Sequence, residues 1–232
     1  MSKTNQAAMA TGFASLGAVD APVLVREQAF DRVREAIITG QFPPGTRLIE
    51  RELCEALGVS RTSIREVLRR LEAEKLVLVE PRKGPTVARV TKAQAEEIYQ
   101  IRAYLEGLLI RRFVERASGS DIVKLDELAR RFFAVASDGD VPRSVGVMVE
   151  FYDFISSVVE ADVLRDILGQ LTARVSYLRA TSMSEPGRMA NSIEEIAEIV
   201  EAIKRRDAQA AENAAVSHVK SAARTALARL SD

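Results

Sequence analysis

Residues 51–70 read RELCEALGVSRTSIREVLRR, and this stretch decides the fold of the first third of the chain. In its second half Ile64, Val67, Leu68 and Leu71 fall at i, i+3, i+4 and i+7, one buried stripe at helical period. The residues before it turn Leu53, Ala56 and Leu57 inward on a shorter helix. That helix stops at Gly58, the residue type that most readily ends a helix in the left-handed conformation. Ser60 is placed to cap the next helix; Arg61, Thr62 and Ser63 fill its first turn, and Arg65 follows one turn after Arg61. Helix, glycine turn, helix is the layout of a helix-turn-helix. Hydroxyls and free backbone N–H groups at a helix tip suit phosphate oxygens, and an arginine fork suits the O6 and N7 acceptors of guanine. The pattern therefore points to contact with double-stranded DNA. A charged amphipathic hairpin on any helical protein is the plainer alternative.

Working outward, residues 1–24 are rich in Ala, Ser, Thr and Gly without a clear period, and are expected to form a flexible tail. A helix over 26–39 buries Phe30, Val33 and Ile37 and closes at Gly40; Pro43, Pro44 and Gly45 then make a stiff turn. After Leu71 the period becomes extended at Leu76–Val79. The run EPRKGP (80–85) reads as a turn, and Thr86–Val90 as a returning strand. The product is a two-stranded wing with Arg82, Lys83 and Gly84 at its tip. Beside a reading helix, Lys83 would neutralise phosphate and Gly84 would permit close approach; an ordinary hairpin would look the same in isolation.

From Thr91 onward no further strand is predicted, only six helices at about 91–117, 121–137, 143–160, 163–182, 192–206 and 208–230. Ser118-Gly119, Asp138-Gly139-Asp140, Asp162 as a cap, Glu185-Pro186-Gly187, and Ser192 with Glu195 as a capping box punctuate them. The fold class is mainly α: an N-terminal winged helix-turn-helix over 25–90, then an all-α bundle over 91–232.

Composition narrows the function. Lys plus Arg equals Asp plus Glu at 33 each, but residues 26–90 hold 13 basic and 10 acidic residues while 91–232 hold 19 and 22. The small positive excess sits with the candidate reading helix. A single cysteine, Cys54, excludes an internal disulfide framework and fits a reducing compartment. One Cys and one His leave little material for a His/Cys metal site or for a nucleophile with its base. No run approaches the roughly 18 apolar residues that span a bilayer, and no secretion signal is visible, so a cytoplasmic protein without membrane contact is expected.

The stretch QAFDRVREAIITGQFPPGTRLIERELCEALGVSRTSIREVLRRLEAEKLVLVEPRKGPTVARV (28–90) resembles the winged helix-turn-helix of the GntR family of bacterial transcription regulators along its whole length. The helical half, beginning with IYQIRAYLEGLLIRR (98–112), is similar to the FadR-type (FCD) ligand-binding domain of the same family, with looser motifs. The resemblance implies a homodimer on a pseudo-palindromic operator. It also implies that Arg51, Arg61 and Arg65 contact bases or flanking phosphates, that Ser60, Thr62 and Ser63 line the groove, and that Lys83 and Gly84 serve the wing. Ile49 stands where the family usually has a small hydroxyl residue, so a weaker cap is expected on the second helix.

Many FadR-type domains hold a divalent metal on one Asp and three His. The resemblance places Met148 at the Asp position, Tyr152 and Ile196 at two His positions, and retains only His218. A thioether, a phenol, an alkyl group and one imidazole do not make a site for a hard or borderline cation, so no metal and no other cofactor is expected. Periodicity adds a separate hint. Ile98, Ile101, Leu105 and Leu109 form a stripe with Arg102 at its edge, and Ile167, Leu171 and Leu178 form another that contains Arg174. An inward guanidinium needs an anion, supplied either by an internal carboxylate such as Glu106 or by a ligand. Two such arginines in a domain resembling a ligand-binding module favour a small organic acid with a hydrophobic body, bound near Arg102, Tyr152, Arg174, Tyr177 and His218. The chain reads as a regulator, expected to be a repressor and not an enzyme. A regulator with a packed, degenerate cavity is the alternative, followed by an enzyme fused to a DNA-binding head.

Overall fold

The computed structural model describes residues 23–228 and residue 230. The expected tail lies outside them apart from Val23 and Leu24, which already belong to the first helix. Among the described residues the order is α1 (Val23–Ile38), α2 (Glu50–Leu57), α3 (Arg61–Ala73), β1 (Val77–Glu80), β2 (Gly84–Val87), α4 (Lys92–Arg116), α5 (Gly119–Ser137), α6 (Val141–Val158), α7 (Asp162–Arg174), α8 (Ser176–Met183), α9 (Arg188–Lys204) and α10 (Ala208–Leu227).

In the head, Phe30, Val33 and Ile37 of α1 meet the α3 stripe of Ile64, Val67, Leu68 and Leu71, all buried as the spacing predicts. Leu53 of α2 is buried and Leu57 partly so, but Ala56 faces solvent, which corrects its inward placement. Gly58 ends α2 at φ 67°, its N–H bonded to the Cys54 carbonyl, while Ile49 offers α2 no side-chain cap. Two ion pairs, Arg34–Glu74 at 2.8 Å and Arg70–Glu27 at 2.7 Å, tie α1 to α3. The strands pair antiparallel, Val77 opposite Val87 and Glu80 opposite Gly84. β2 ends at Val87, short of the predicted Val90: the Ala88 N–H still bonds the Leu76 carbonyl, but the Leu76 N–H that would complete this pair is turned back to the Leu71 carbonyl. On its other side β2 holds the segment after Pro44: Gly45 N–H bonds the Val87 carbonyl at 2.8 Å and Leu48 N–H the Pro85 carbonyl at 2.9 Å. The wing is therefore braced from both sides.

Among its described residues the helical half has seven helices where the punctuation predicts six. The span 163–182 is broken at Val175, whose N–H bonds back to the Thr172 carbonyl while the Ser176 hydroxyl donates to the Ala173 carbonyl at 2.7 Å. These short-range bonds compete with the helical ladder and redirect the chain. Asp162 lies inside the first turn of α7, not at its cap, which is Ala161. The predicted Ser192–Glu195 capping box does not form. Gly187 at φ 80° already starts α9 at Arg188, leaving Ser192 buried within the helix. Ile101, predicted in the α4 stripe, is 41 % exposed, whereas Arg102 and Glu106 are buried with Ile98 and Leu109. The cause is that α4 is covered on separate sides by α10 and by α6 and α7, so its buried face is broader than one stripe. No helix among the described residues is long and apolar enough to cross a membrane.

Gly107 lets α4 and α10 approach closely, since a Cβ there would stand 2.8 Å from Val216 Cγ2 and 3.3 Å from Glu212 Cγ. Helix propensity alone favours replacing it by about 1 kcal/mol. Overpacking a tight helix contact costs about 1–3 kcal/mol and should win for a large residue. Gly107→Leu is expected to lower stability in urea unfolding by that margin, and an unchanged midpoint would contradict the contact.

Candidate functional site

The tip of α3 presents polar and basic side chains to solvent. Ser60 caps the helix, accepting from the Ser63 N–H at 3.2 Å, with its hydroxyl 3.0 Å from that of Ser63. Arg61 and Thr62 are exposed beside it. Arg65 is exposed but engaged: its Nε donates to both carboxylate oxygens of Glu50 at 3.1 Å. Arg51 lies 3.6 Å from Glu55, and Lys83 at the wing tip lies 2.6 Å from Glu80, whose hydrogen bond and charge raise the Lys83 pKa. Gly84 adopts φ 78° and Arg82 φ 71°, so the tip turns through the left-handed region at both ends of Lys83. All the DNA-facing candidates thus lie on the tip of α3, on α2 or at the wing. One exposed cation was missed. Arg47, bridged to Thr86, brings its guanidinium beside Gly84. Its signal was available in the turn-plus-arginine segment PPGTRL.

The second candidate site lies inside the helical half. Arg102 Nε and Nη2 donate to Glu106 Oε1 at 3.0 and 2.7 Å, and both side chains are buried. Arg102 Nη1 and Glu106 Oε2 are buried without a hydrogen-bond partner. Burial works against both charges, yet Glu106 holds the guanidinium above its ordinary pKa and Arg102 holds the carboxyl below its own. Tyr152 faces Glu106; burial, then that carboxylate, push its phenol well above the usual value, so it stays neutral. Arg179 of α8 completes the cluster. Burial, then the like charge of Arg102, lower its pKa against the opposing charge of Glu106, which is hydrogen-bonded to Arg102. These groups line a chamber of about 140 Å³ whose apolar wall includes Leu109, Met148 and Leu168. Arg102, Met148 and Arg179 also border a smaller chamber of about 40 Å³, closed by Arg188, Ile196 and His218. There Arg188 donates to Glu195 Oε2 at 3.0 Å, and His218 Nδ1 lies 2.7 Å from the same oxygen.

Of the predicted cavity residues, Arg102 and Tyr152 line the large chamber and His218 the small one. Arg174 and Tyr177 line neither. Arg174 borders a crevice against Ile37, Pro44 and Leu76 of the head, and the Tyr177 ring packs over Gly40. The break at Val175 turns this end of the helix toward the head. Arg179 and Arg188 were missed. The first lies beyond that break, and the second precedes a helix start that Ser192 wrongly suggested.

Residues 25–87 match the model of the bacterial regulatory proteins of the gntR family, and residues 97–221 match the FCD domain. The chain belongs to the GntR family, in the branch carrying an FCD domain. It is a DNA-binding transcriptional regulator of that type. The GntR chain is 29 % identical to the HTH-type transcriptional regulator McbR of Escherichia coli over 184 residues, covering 78 % of this chain and 82 % of McbR. It is 26 % identical to the galactonate operon transcriptional repressor of E. coli, covering 81 % and 90 %. The solved structure of E. coli McbR/YncC superposes with a TM-score of 0.74 at 26 % identity, covering 86 % of this chain and 95 % of that one. A GntR regulator from Rhodococcus sp. RHA1 shares the fold, with a TM-score of 0.75 at 22 % identity.

FCD domains of the FadR type often carry a divalent metal. Met148, Ile196 and His218 face the small chamber together with three guanidiniums, and His218 is committed to Glu195. Among the described residues no group of three His, Cys, Asp or Glu side chains could hold a metal ion. This donor set does not fit a divalent cation.

Burial would raise the Glu195 carboxyl, but hydrogen bonds from His218 and Ser221 and the charges of His218 and Arg188 hold it at about 2. Its folded pKa is below the roughly 4.3 of a free Glu. It therefore contributes stability above pH ~4.3, which is lost as pH falls through about 2. In Glu195→Gln, the decline of the urea midpoint between these pH values should be shallower than in the native chain. It should not vanish, because Glu106, Asp121 and Asp126 are also depressed. Parallel curves would show that Glu195 is not so held.

Proposed function

We propose that this regulator is a repressor that binds a pseudo-palindromic operator as a homodimer and releases or tightens it when a small organic anion enters the arginine-lined cavity, without a metal ion. The observation that carries the reading is the charge around the two chambers: the buried Arg102 and Arg188 and the partly buried Arg179 face the buried Glu106 and the partly buried Glu195. The guanidiniums outnumber the carboxylates, and Nη1 of Arg102 has no hydrogen-bond partner. A buried guanidinium is stable only with an anion at hand, so a ligand carboxylate would supply what the protein does not. Met148 and Tyr152 border the large chamber and leave it open, which favours this reading over a cavity packed shut. Coupling to DNA has a short route. Arg179 and Tyr177 share α8, so a ligand that shifts Arg179 moves the ring seated on Gly40 of the head. Such coupling requires the ligand to bind the DNA-competent and DNA-incompetent arrangements with different affinity.

In a gel-shift assay on DNA upstream of the protein's own gene, Arg61→Ala is expected to weaken specific binding by about 1–3 kcal/mol and relax specificity. Lys83→Ala should weaken all duplexes alike and reduce the salt slope by about 1. Absence of duplex binding at low salt would overturn the DNA reading. Arg179→Met should abolish the response to an organic acid while leaving operator affinity intact. Near-stoichiometric Zn, Ni or Mn surviving desalting would overturn the metal-free site.

A further inference from the structure

The two chambers have Arg102, Met148 and Arg179 in common in their linings, but their chemistry differs. The large one is bordered by Leu109, Met148, Val149 and Leu168, with Asp153 and Arg165 at its solvent-facing rim. The small one is bordered by Arg188, His218 and the hydroxyls of Ser182 and Ser192. Arg188 is only 4 % exposed and is the first residue of α9. A cation is electrostatically unfavourable at that end of a helix, where the backbone dipole is already positive. α9 has no acidic residue in its first turn and no side-chain cap to offset it. Glu195, two turns on, holds the guanidinium but shares its oxygen Oε2 with His218. The small chamber therefore combines a helix N-terminus, the buried Arg188, Arg179 and Arg102, which is 5 % exposed and whose Nη1 has no hydrogen-bond partner.

We infer that the small chamber seats the anionic group of the effector, gripped by Arg188, Arg179 and Arg102 Nη1, while an apolar body of about six carbons fills the large chamber. The inference rests on the proposed reading of the helical half as an effector domain. Size sets the class. A chamber of about 40 Å³ exceeds the ~10–15 Å³ that one water requires and takes a carboxylate. A chamber of about 140 Å³ is close to the ~150 Å³ apolar cavity known to accept benzene. Charge sets the valence. Three guanidiniums outnumber two carboxylates, which calls for an anion, and a second anionic group would have to lie against the apolar wall of Leu109, Met148 and Leu168. A guanidinium fork also matches the planar, two-oxygen face of a carboxylate.

The test is calorimetric titration of the full-length protein, treated with chelator, with benzoate, phenylacetate and hexanoate, against acetate, adipate and benzamide. The three monoacids with six or more carbons are expected to bind, and the other compounds at least about tenfold more weakly, the margin of a lost charged hydrogen bond or apolar contact. The variant Arg188→Gln/Glu195→Gln removes one charge of each sign, keeps the surplus at Arg102 and Arg179, and should lose about tenfold or more in monoacid affinity while operator binding is retained. Should it not fold, Arg188→Lys keeps the charge but loses the fork and should bind several-fold more weakly. Equal affinity in a folded variant, or adipate or benzamide binding as well as benzoate, overturns the inference and leaves the effector reading standing. No binding of any of the acids to the native chain, with specific operator binding intact, overturns both.

Discussion

A guanidinium taken out of water needs an anion beside it, and the helical half of this regulator is arranged around that constraint. Arg102 and Glu106 satisfy it only in part: two donors converge on one carboxylate oxygen, leaving the other oxygen and one N–H bare. Breaking either member would strand the other, an outcome costing about 3–5 kcal/mol in buried pairs. The pair is thus held in place by its own cost, and Arg179 and Arg188 add charge that the protein balances only once. Apolar packing from α4, α6, α7 and α10 keeps water from dissolving the problem.

The head follows a different logic. Its core is small and assembled from single rows of apolar residues on α1 and α3, tied at the rim by Arg34–Glu74 and Arg70–Glu27. Its contact residues are polar groups left over once that core is complete, which is why they sit on the outer tip of α3 and the turn between the strands. The bond from Gly45 to Val87 matters here, because it makes the turn after α1, α2's approach and the wing one braced unit.

The head was legible in the sequence because each of its helices buries one stripe, so spacing alone identifies Ile64, Val67, Leu68 and Leu71. The family resemblance of residues 28–90 agrees with the matched model over 25–87. The bundle was legible as helices but not as a cavity. α4 is buried on several sides, and a one-stripe reading put Ile101 inside and Arg102 at the edge when the reverse holds. Arg174 and Tyr177 were misplaced because the break at Val175 depends on a hydroxyl, Ser176, turning back on its own helix, which periodicity does not report. Arg188 escaped because Pro186-Gly187 starts α9 four residues before Ser192, and the nearer capping pattern was the wrong one. Arg102 and Glu106 stood out because charged groups inside an apolar stripe need an explanation, whereas Tyr152 and His218 came from the family resemblance.

The acidic residues beside the DNA-facing cations have a kinetic meaning. Glu50 holds Arg65, Glu55 approaches Arg51, and Glu80 holds Lys83, all at or near the surface. Exposed pairs of this kind are worth less than about 1 kcal/mol, so a well-placed phosphate displaces them easily while a poorly placed one gains little over what it removes. On the proposed reading of these cations as phosphate contacts, the head carries its own competitor for random duplex, and each accidental stop is shortened.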